Sequence, residues 1–210
     1  MVTVTWHGHS LFQIQDSATV ATDPHNGASL GLPVPGFKAD IVTVSHDHGD
    51  HASGLSLFGG ARVFSAPAEA EYKGVRLKGV PCHHDDARGG RLGSNVVWCI
   101  EVDGVRFTHA GDLGHNLTMA QLTEIGATDV LFINTGSDVT LAEENVALVD
   151  PRVTVPMHYE TPGLNFQRFK LKKVEEFTRG KQRVTYVGRS HEYTPGSLPS
   201  RPEIHVYSSP

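Results

Sequence analysis

Apolar residues recur at alternate positions, or run on continuously for four to seven residues, at intervals along the whole chain. This period predicts strands over Val2 to Trp6, Leu11 to Gln15, Thr19 to Thr22, Ile41 to Ser45, Arg62 to Ser65, Val96 to Val102, Val105 to His109, Val130 to Asn134, Val153 to Pro156 and Val184 to Val187. Asp103-Gly104 between two of them is a hairpin signal, because a type I′ turn needs positive φ at both central residues. Helical spacing predicts Thr118 to Ile125, opened by a Thr118-x-x-Gln121 capping box, Leu141 to Val149, stopped before Pro151, and Asn165 to Arg179, ended by Gly180. In the last of these Phe166, Phe169, Val174 and Phe177 share a face, and Arg168, Lys170, Lys172 and Lys173 read as its solvated side. Strands come first as hairpins and later alternate with helices, so the pattern implies a mixed sandwich with sheets inside and helices outside. Three irregular stretches, Pro24 to Lys38, Asp85 to Asn95 and Glu160 to Asn165, read as binding loops rather than spacers.

Composition narrows the partners. With 39% hydrophobic and 20% charged residues in 210, the chain reads as one globular domain over 1–210. A net charge of −5 leaves no global positive field, so a nucleic acid is not the expected partner and a small-molecule substrate is. The start carries neither a basic nor an apolar targeting region, and no run suits a membrane helix; a cytoplasmic protein without a membrane partner is expected, with homo-oligomerisation left open. Cys82 and Cys99 form no CxxC pair and are expected to be free, largely buried thiols.

Histidine changes the picture, because its 13 residues gather at the ends of the predicted strands. The strand ending at Ser45 runs straight into His46-Asp47-His48-Gly49-Asp50-His51. In an extended chain His46 and His48 point the same way and can share one ion about 2.0–2.1 Å from each nitrogen. Gly49 lets the backbone turn, so that Asp50 and His51 face a second ion. Histidines clustered by chance would have no need of the preceding apolar strand.

One loop cannot close such a site. His83 and His84, Asp112 in Thr108-His-Ala-Gly-Asp112, and His158 in Val153-Thr-Val-Pro-Met-His158 stand at other strand ends. Neighbours on a strand face opposite ways, so only one of His83 and His84 points inward, and alternation does not say which. His9 reads either as a substrate contact or as a structural histidine holding the first turn. Asp23 reads either as the carboxylate partner of a ligating imidazole or as a turn residue before Pro24. His115 and Tyr159 are candidates for the pocket wall; His7 and His109 read as core or surface.

The order H-x-H-x-D-H, then a histidine, then Gly-Asp, then a late histidine resembles the metallo-β-lactamase superfamily. It is closest to the branch of small metal-dependent hydrolases that includes L-ascorbate-6-phosphate lactonase and the lipid phosphodiesterase acting on N-acylphosphatidylethanolamine. Trp6-His7-Gly8-His9-Ser10, Asp23-Pro24, His84-Asp85, Gly111-Asp112-Leu-Gly-His115 and Pro156-Met-His158-Tyr159 resemble that branch's successive motifs. The likeness runs from about residue 4 to residue 188, leaving 191–210 as a C-terminal tail outside it. It implies an α+β, four-layer αβ/βα sandwich. It places His46, His48 and His84 on one metal, Asp50, His51 and His158 on the other, and Asp112 between them, with Asp50 and His9 as catalytic candidates.

Two divalent ions roughly 3.5–4 Å apart would deprotonate a bridging water near neutral pH and direct it at a carbonyl carbon or phosphorus. The nitrogen and oxygen donors suit zinc first, then manganese or iron. The expected substrate is a small lactone, ester, amide or phosphodiester. Rival readings are a di-iron redox protein, against which His48 speaks because a glutamate is usual there, and a non-catalytic metal-binding protein. Ile133-Asn-Thr-Gly-Ser-Asp138 departs from the branch's Pro-x-Gly-Gly-like turn, a change expected to alter substrate contacts and leave metal binding untouched.

Overall fold

The computed structural model describes residues 1–210. Fourteen strands form two sheets. The first contains β1 (Val2–Trp6), β2 (Phe12–Gln15), β3 (Thr19–Thr22), β4 (Ile41–Thr43), β5 (Arg62–Phe64) and β13 (Ser190–Tyr193), in the order β13-β1-β2-β3-β4-β5. The second contains β6 (Glu69–Tyr72), β7 (Val75–His83), β8 (Ser94–Val102), β9 (Val105–His109), β10 (Val130–Asn134), β11 (Val153–Met157), β12 (Val184–Gly188) and β14 (Glu203–Tyr207), in the order β12-β14-β11-β10-β9-β8-β7-β6. Hairpins build the antiparallel halves; β3, β4 and β5 in one sheet, and β9, β10, β11, β14 and β12 in the other, run parallel.

The sheets face each other over one large core that includes Trp6, Phe12, Ile14, Trp98, Phe107, Phe132 and Val155. The alternation that predicted the strands is the reason: β1 shows inward Val2, Val4 and Trp6 separated by partly exposed Thr3 and Thr5. Asp103 and Gly104 have φ of 47° and 73°, as a type I′ connection between β8 and β9 demands. Helices α2 (Met119–Ile125) and α3 (Val139–Val149) lie against the second sheet. The Thr118–Gln121 capping box is formed. Outside the first sheet the layer thins to the single turn α1 (Gly49–Ala52), short 3-10 turns and the loop from Pro24 to Lys38, over a small cluster of Leu11, Val42, Val44 and Phe58. The architecture is the α+β sandwich the sequence led us to expect. No helix is long and apolar enough to cross a membrane.

Five elements differ from the sequence reading. Strands β6, β13 and β14, and most of β7, were not expected, and the residues from 190 on supply one strand to each sheet. The helix expected from Asn165 to Arg179 is confined to α4 (Val174–Thr178). The preceding backbone is drawn elsewhere: Asn165 N–H donates to Leu30 O and Lys172 N–H to Gly136 O, at 2.8 Å each. Those bonds replace the i→i−4 ladder, so tertiary partners override a favourable local period. Cys82 and Cys99 are free thiols, as expected.

His25 anchors the loop over the first sheet. It is fully buried, accepts from Gly27 N–H at 3.0 Å, and its Nε2 lies 3.1 Å from His7 O. Burial pushes its pKa down to about 4. An unfolded histidine titrates near about 6.5, so the unfolded chain binds the extra proton first and stability is lost as pH falls from about 6.5 towards 4. At pH 5 the loss from this group is about 2 kcal/mol. Denaturant titrations of metal-stripped protein at pH 7 and pH 5 should show this decrement in the wild type and a shallower dependence in His25→Gln; equal slopes would remove His25 from the account.

Candidate metal centre

Every element that ends at one rim of the sandwich delivers a polar side chain there: His9 from the β1–β2 turn, Asp23 after β3, His46 to His51 after β4, His84 after β7, Asp112 after β9, Asn134 at the end of β10 and His158 after β11. Carboxyl ends of strands in open α/β sheets leave such a crevice, because the chain must turn away from the sheet there. The two sheets are locked together beside it. Trp98 of β8 donates its indole N–H to Val44 O, and Val96 N–H donates to Ser45 O at 2.8 Å.

The nitrogens and oxygens converge. His46, His48 and His84 form one group able to hold a metal ion, and His9, Asp50, His51 and His158 form another. Between them Asp112 Oδ2 lies 3.2 Å from His84 Nε2, 3.3 Å from His51 Nε2, 3.4 Å from His158 Nε2 and 3.9 Å from His46 Nε2. A single carboxylate oxygen therefore faces four imidazole nitrogens. Asp50 Oδ2 lies 3.0 Å from His9 Nε2, 3.3 Å from His51 Nε2 and 3.4 Å from His158 Nε2. His84, not His83, reaches this centre; His83 turns towards His115, whose Nε2 accepts from His83 N–H.

The residues fit a metal. His51 Nε2 and both ring nitrogens of His158 are buried without a hydrogen-bond partner, although the two Nε2 atoms lie beside two carboxylates. An unsatisfied buried polar atom costs about 1–3 kcal/mol. A divalent cation accepting the lone pairs of the two Nε2 atoms would remove that cost there, and an all-nitrogen-and-oxygen donor set suits it.

Electrostatics point the same way. Burial pulls the His51 pKa down, but the charges of Asp112 and Asp23 outweigh it and hold it well above the ordinary value. Burial would raise Asp112 and Asp50, yet neighbouring histidines, His158 and His51 foremost, keep both carboxylates far below their usual range. His46 is pushed down to about 3, by burial and then by His51. Fixed negative charge thus favours a positive charge at His51, which a bound cation would supply in place of the proton, while His46 stays neutral and free to ligate.

Asp23 organises two of those imidazoles. It is fully buried and accepts from Ser45 N–H and Ser45 O–H at 2.6 Å each, and from His51 Nδ1 at 2.7 Å. Because Ser45 Oγ gives its proton to Asp23, it accepts one from His46 Nδ1, 2.9 Å away. Both histidines then carry a proton on Nδ1, which leaves Nε2 as the nitrogen each would offer a cation at the centre, the way outer partners usually orient ligating imidazoles. The backbone shows the same over-determination. His9, Asp23 and His158 have φ of 54°, 41° and 60°, the left-handed region that non-glycine residues occupy at a cost.

Two close approaches depend on missing side chains. A Cβ on Gly114 would lie 2.2 Å from His84 O, and one on Gly136 would lie 2.0 Å from His158 O. Glycine at these positions lets the loops bearing His84, Asp112 and His158 stack on one another.

Sequence reasoning missed three residues here. Asn134 donates from Nδ2 to Asp112 Oδ1 at 2.7 Å, while its Oδ1 accepts from Gly136 N–H and Ser137 N–H. The turn expected to leave metal binding untouched therefore holds the central carboxylate and turns Oδ2 towards the histidines. Phe166 packs on His9 and His158, with ring centroids 5.5 and 5.4 Å apart, and Arg168 Nη1 stands 3.8 Å from Asp50 Oδ1. Neither was visible while the segment read as a helix. His115 lines a cavity of about 510 Å³ beside His84 and Asp112. Tyr159 instead packs on Trp6 and donates to Tyr207 O. His109 is a core residue, with Nδ1 accepting from Gly111 N–H and Nε2 3.0 Å from Ser10 O.

Comparison with known proteins places this centre in a lineage. Residues 3–158 match the family model of the β-lactamase superfamily domain. A protein of Thermococcus onnurineus named UPF0173 metal-dependent hydrolase is 31% identical over 77% of this chain and 86% of its own length. The chain belongs to the UPF0173 metal-dependent hydrolase family of the metallo-β-lactamase superfamily. Among solved structures, one from Thermotoga maritima described as a candidate Zn-dependent hydrolase of that superfamily is 32% identical, covers 100% of both chains and superposes with a TM-score of 0.81. A diiron β-hydroxylase from Streptomyces venezuelae shares the fold alone, at 14% identity over 75% of this chain and 44% of its own, with a TM-score of 0.56. This member of the metallo-β-lactamase superfamily is thus a metal-dependent hydrolase.

Proposed function

We propose that the protein uses two divalent cations, zinc in preference to manganese or iron, to hydrolyse a small-molecule lactone, ester, amide or phosphodiester. The observation that carries this reading is the position of Asp112 Oδ2, facing His46 and His84 on one side and His51 and His158 on the other. In the proposal His46, His48 and His84 hold one cation, Asp50, His51 and His158 hold the second, and Asp112 is shared. Bound there, such cations acidify a water and polarise the oxygen of the scissile group.

The chain's own residues supply the rest. Asp50 is the proposed proton acceptor. Its Oδ2 lies 3.0 Å from His9 Nε2, and burial, followed by the charge of His158, pushes His9 down to about 3. A neutral His9 donates to Asp50 without competing for the proton, and so orients the carboxylate. Phe166 covers His9 and His158 and excludes water from that side. Asn134 fixes Asp112, and Asp23 fixes His46 and His51 through the bonds described above.

The test is removal and return of metal. Protein dialysed against a chelator is expected to lose turnover in a panel of lactones, carboxylic esters and a chromogenic phosphodiester, and to regain it as zinc is added up to two equivalents. Turnover by fully stripped protein would refute metal dependence, and full recovery at one equivalent would refute the pair. A strong visible absorption band after aerobic purification would favour iron redox chemistry instead.

A further inference from the structure

The ten residues before α4 read Leu164-Asn-Phe-Gln-Arg168-Phe-Lys170-Leu-Lys172-Lys173, four cations and no acid, in a chain whose net charge is −5. It is pinned by backbone bonds at Asn165 and Lys172, and between them residues 166–171 form no backbone–backbone hydrogen bond. The strand of chain so suspended lies over the metal centre: Phe166 sits on His9 and His158, and Phe169, stacked edge-on against Phe166, lines the cavity beside His84 and Asp112. Arg168 is the one cationic side chain it sets against the cluster, 3.8 Å from Asp50 Oδ1 and half-exposed.

That guanidinium is unspent. At 3.8 Å it is too far from Asp50 for a hydrogen bond, and it forms none with any other residue. The arginine on the cavity wall, Arg91, is paired with Asp86. Asp50 has its other oxygen turned to His9, His51 and His158, where a cation would neutralise it. Arg168 is then left with five donors in a planar fork at the mouth of the site, the geometry that recognises carboxylate or phosphate. Lys170 and Lys173 have no ion-pair partner and Lys172 a 3.7 Å one with Glu176, so the same segment raises the local concentration of anions.

We propose that Arg168 selects substrates carrying an anionic group, carboxylate or phosphate, next to the bond cleaved. This rests on the hydrolase reading above and adds to it the charge of the substrate. Zinc-loaded wild type, Arg168→Met and Arg168→Lys would be assayed on a matched ester pair, mono-4-nitrophenyl succinate and 4-nitrophenyl butyrate, with bound metal measured in each. The wild type should favour the charged ester. Arg168→Met should cut the charged-to-neutral ratio of kcat/KM by about ten- to a hundred-fold, mainly through KM, and Arg168→Lys should restore part of it. Calorimetric titration of inorganic phosphate and of succinate into the same proteins distinguishes the two anions, since the recognised one loses more affinity in Arg168→Met. An unchanged ratio, or a wild-type preference for the neutral ester, overturns the proposal while leaving the hydrolase reading intact. Wild type that cleaves neither ester counts against ester hydrolysis; the titrations then decide, and affinities equal in wild type and Arg168→Met, or no binding of either anion, overturn the role of Arg168.

Discussion

Asp112→Ala is expected to lower the affinity for bound metal by at least about a hundred-fold, the upper end of what loss of a mere supporting partner costs, and to abolish measurable hydrolysis. The reason is geometric. One oxygen of Asp112 stands within 3.2 to 3.9 Å of four imidazole nitrogens drawn from three separate loops, and no other carboxylate reaches His84. Truncation removes the only anion common to both halves of the centre, and like-charged cations would then repel each other across an empty gap. Asp112→Asn separates chemistry from folding, because it keeps the volume of the side chain and removes the charge. Elemental analysis after gel filtration, with thermal denaturation in parallel, reads both effects. His48→Ala should act in the same direction but strip one cation preferentially, since His48 belongs to the His46–His84 group alone. Full metal content in both alanine variants would refute the ligand assignment.

Asp23→Ala is expected to be the most destabilising single change near the centre, although Asp23 belongs to neither candidate ligand group. It leaves Ser45 N–H, Ser45 O–H and His51 Nδ1–H buried without their acceptor. Breaking a buried charged pair costs about 3–5 kcal/mol. At about 2–4 °C per kcal/mol for a chain of this size, Tm should fall on the order of 10 °C. Metal affinity should fall a further ten- to hundred-fold or so, because the His46 and His51 tautomers are no longer fixed. Asp23→Asn should recover much of the stability and less of the affinity, as an amide oxygen accepts more weakly and its NH2 faces donors. Melting and zinc-competition titrations on the same samples decide it; a loss of stability with unchanged affinity would make Asp23 a turn residue only.

Where the sequence was legible, a short-range rule decided the outcome. The period of two gave β1, and short continuous apolar runs gave β3, β9 and β10, all with their observed ends, since the first is buried on one face and the others largely on both. The His46–His51 motif was legible for a similar reason: its spacing alone puts donors on both sides of one turn. Reading failed where distant partners decide. Val75, Arg76, Leu77 and Lys78 alternate, but Gly79 and Pro81 interrupt the pattern of β7, which is nevertheless paired along its length with β8. Phe166 and Phe169 have the spacing of a helix face, yet one covers the metal centre and the other its cavity, and the backbone follows them. The choice between His83 and His84 lay beyond alternation; the loop after them turns on Asp85, which accepts four backbone N–H groups from Ala87 to Leu92. Asn134 had a signal, the unusual turn at 133 to 138, whose chemical partner only the third dimension reveals.

The measurement closest to the central claim is an anomalous-difference map at the zinc edge from crystals of zinc-loaded protein. Two peaks roughly 3.5–4 Å apart are expected, one ringed by His46, His48 and His84, the other by Asp50, His51 and His158, with Asp112 Oδ2 touching both. A single peak, or peaks that leave Asp112 unbound, would contradict a shared two-cation centre.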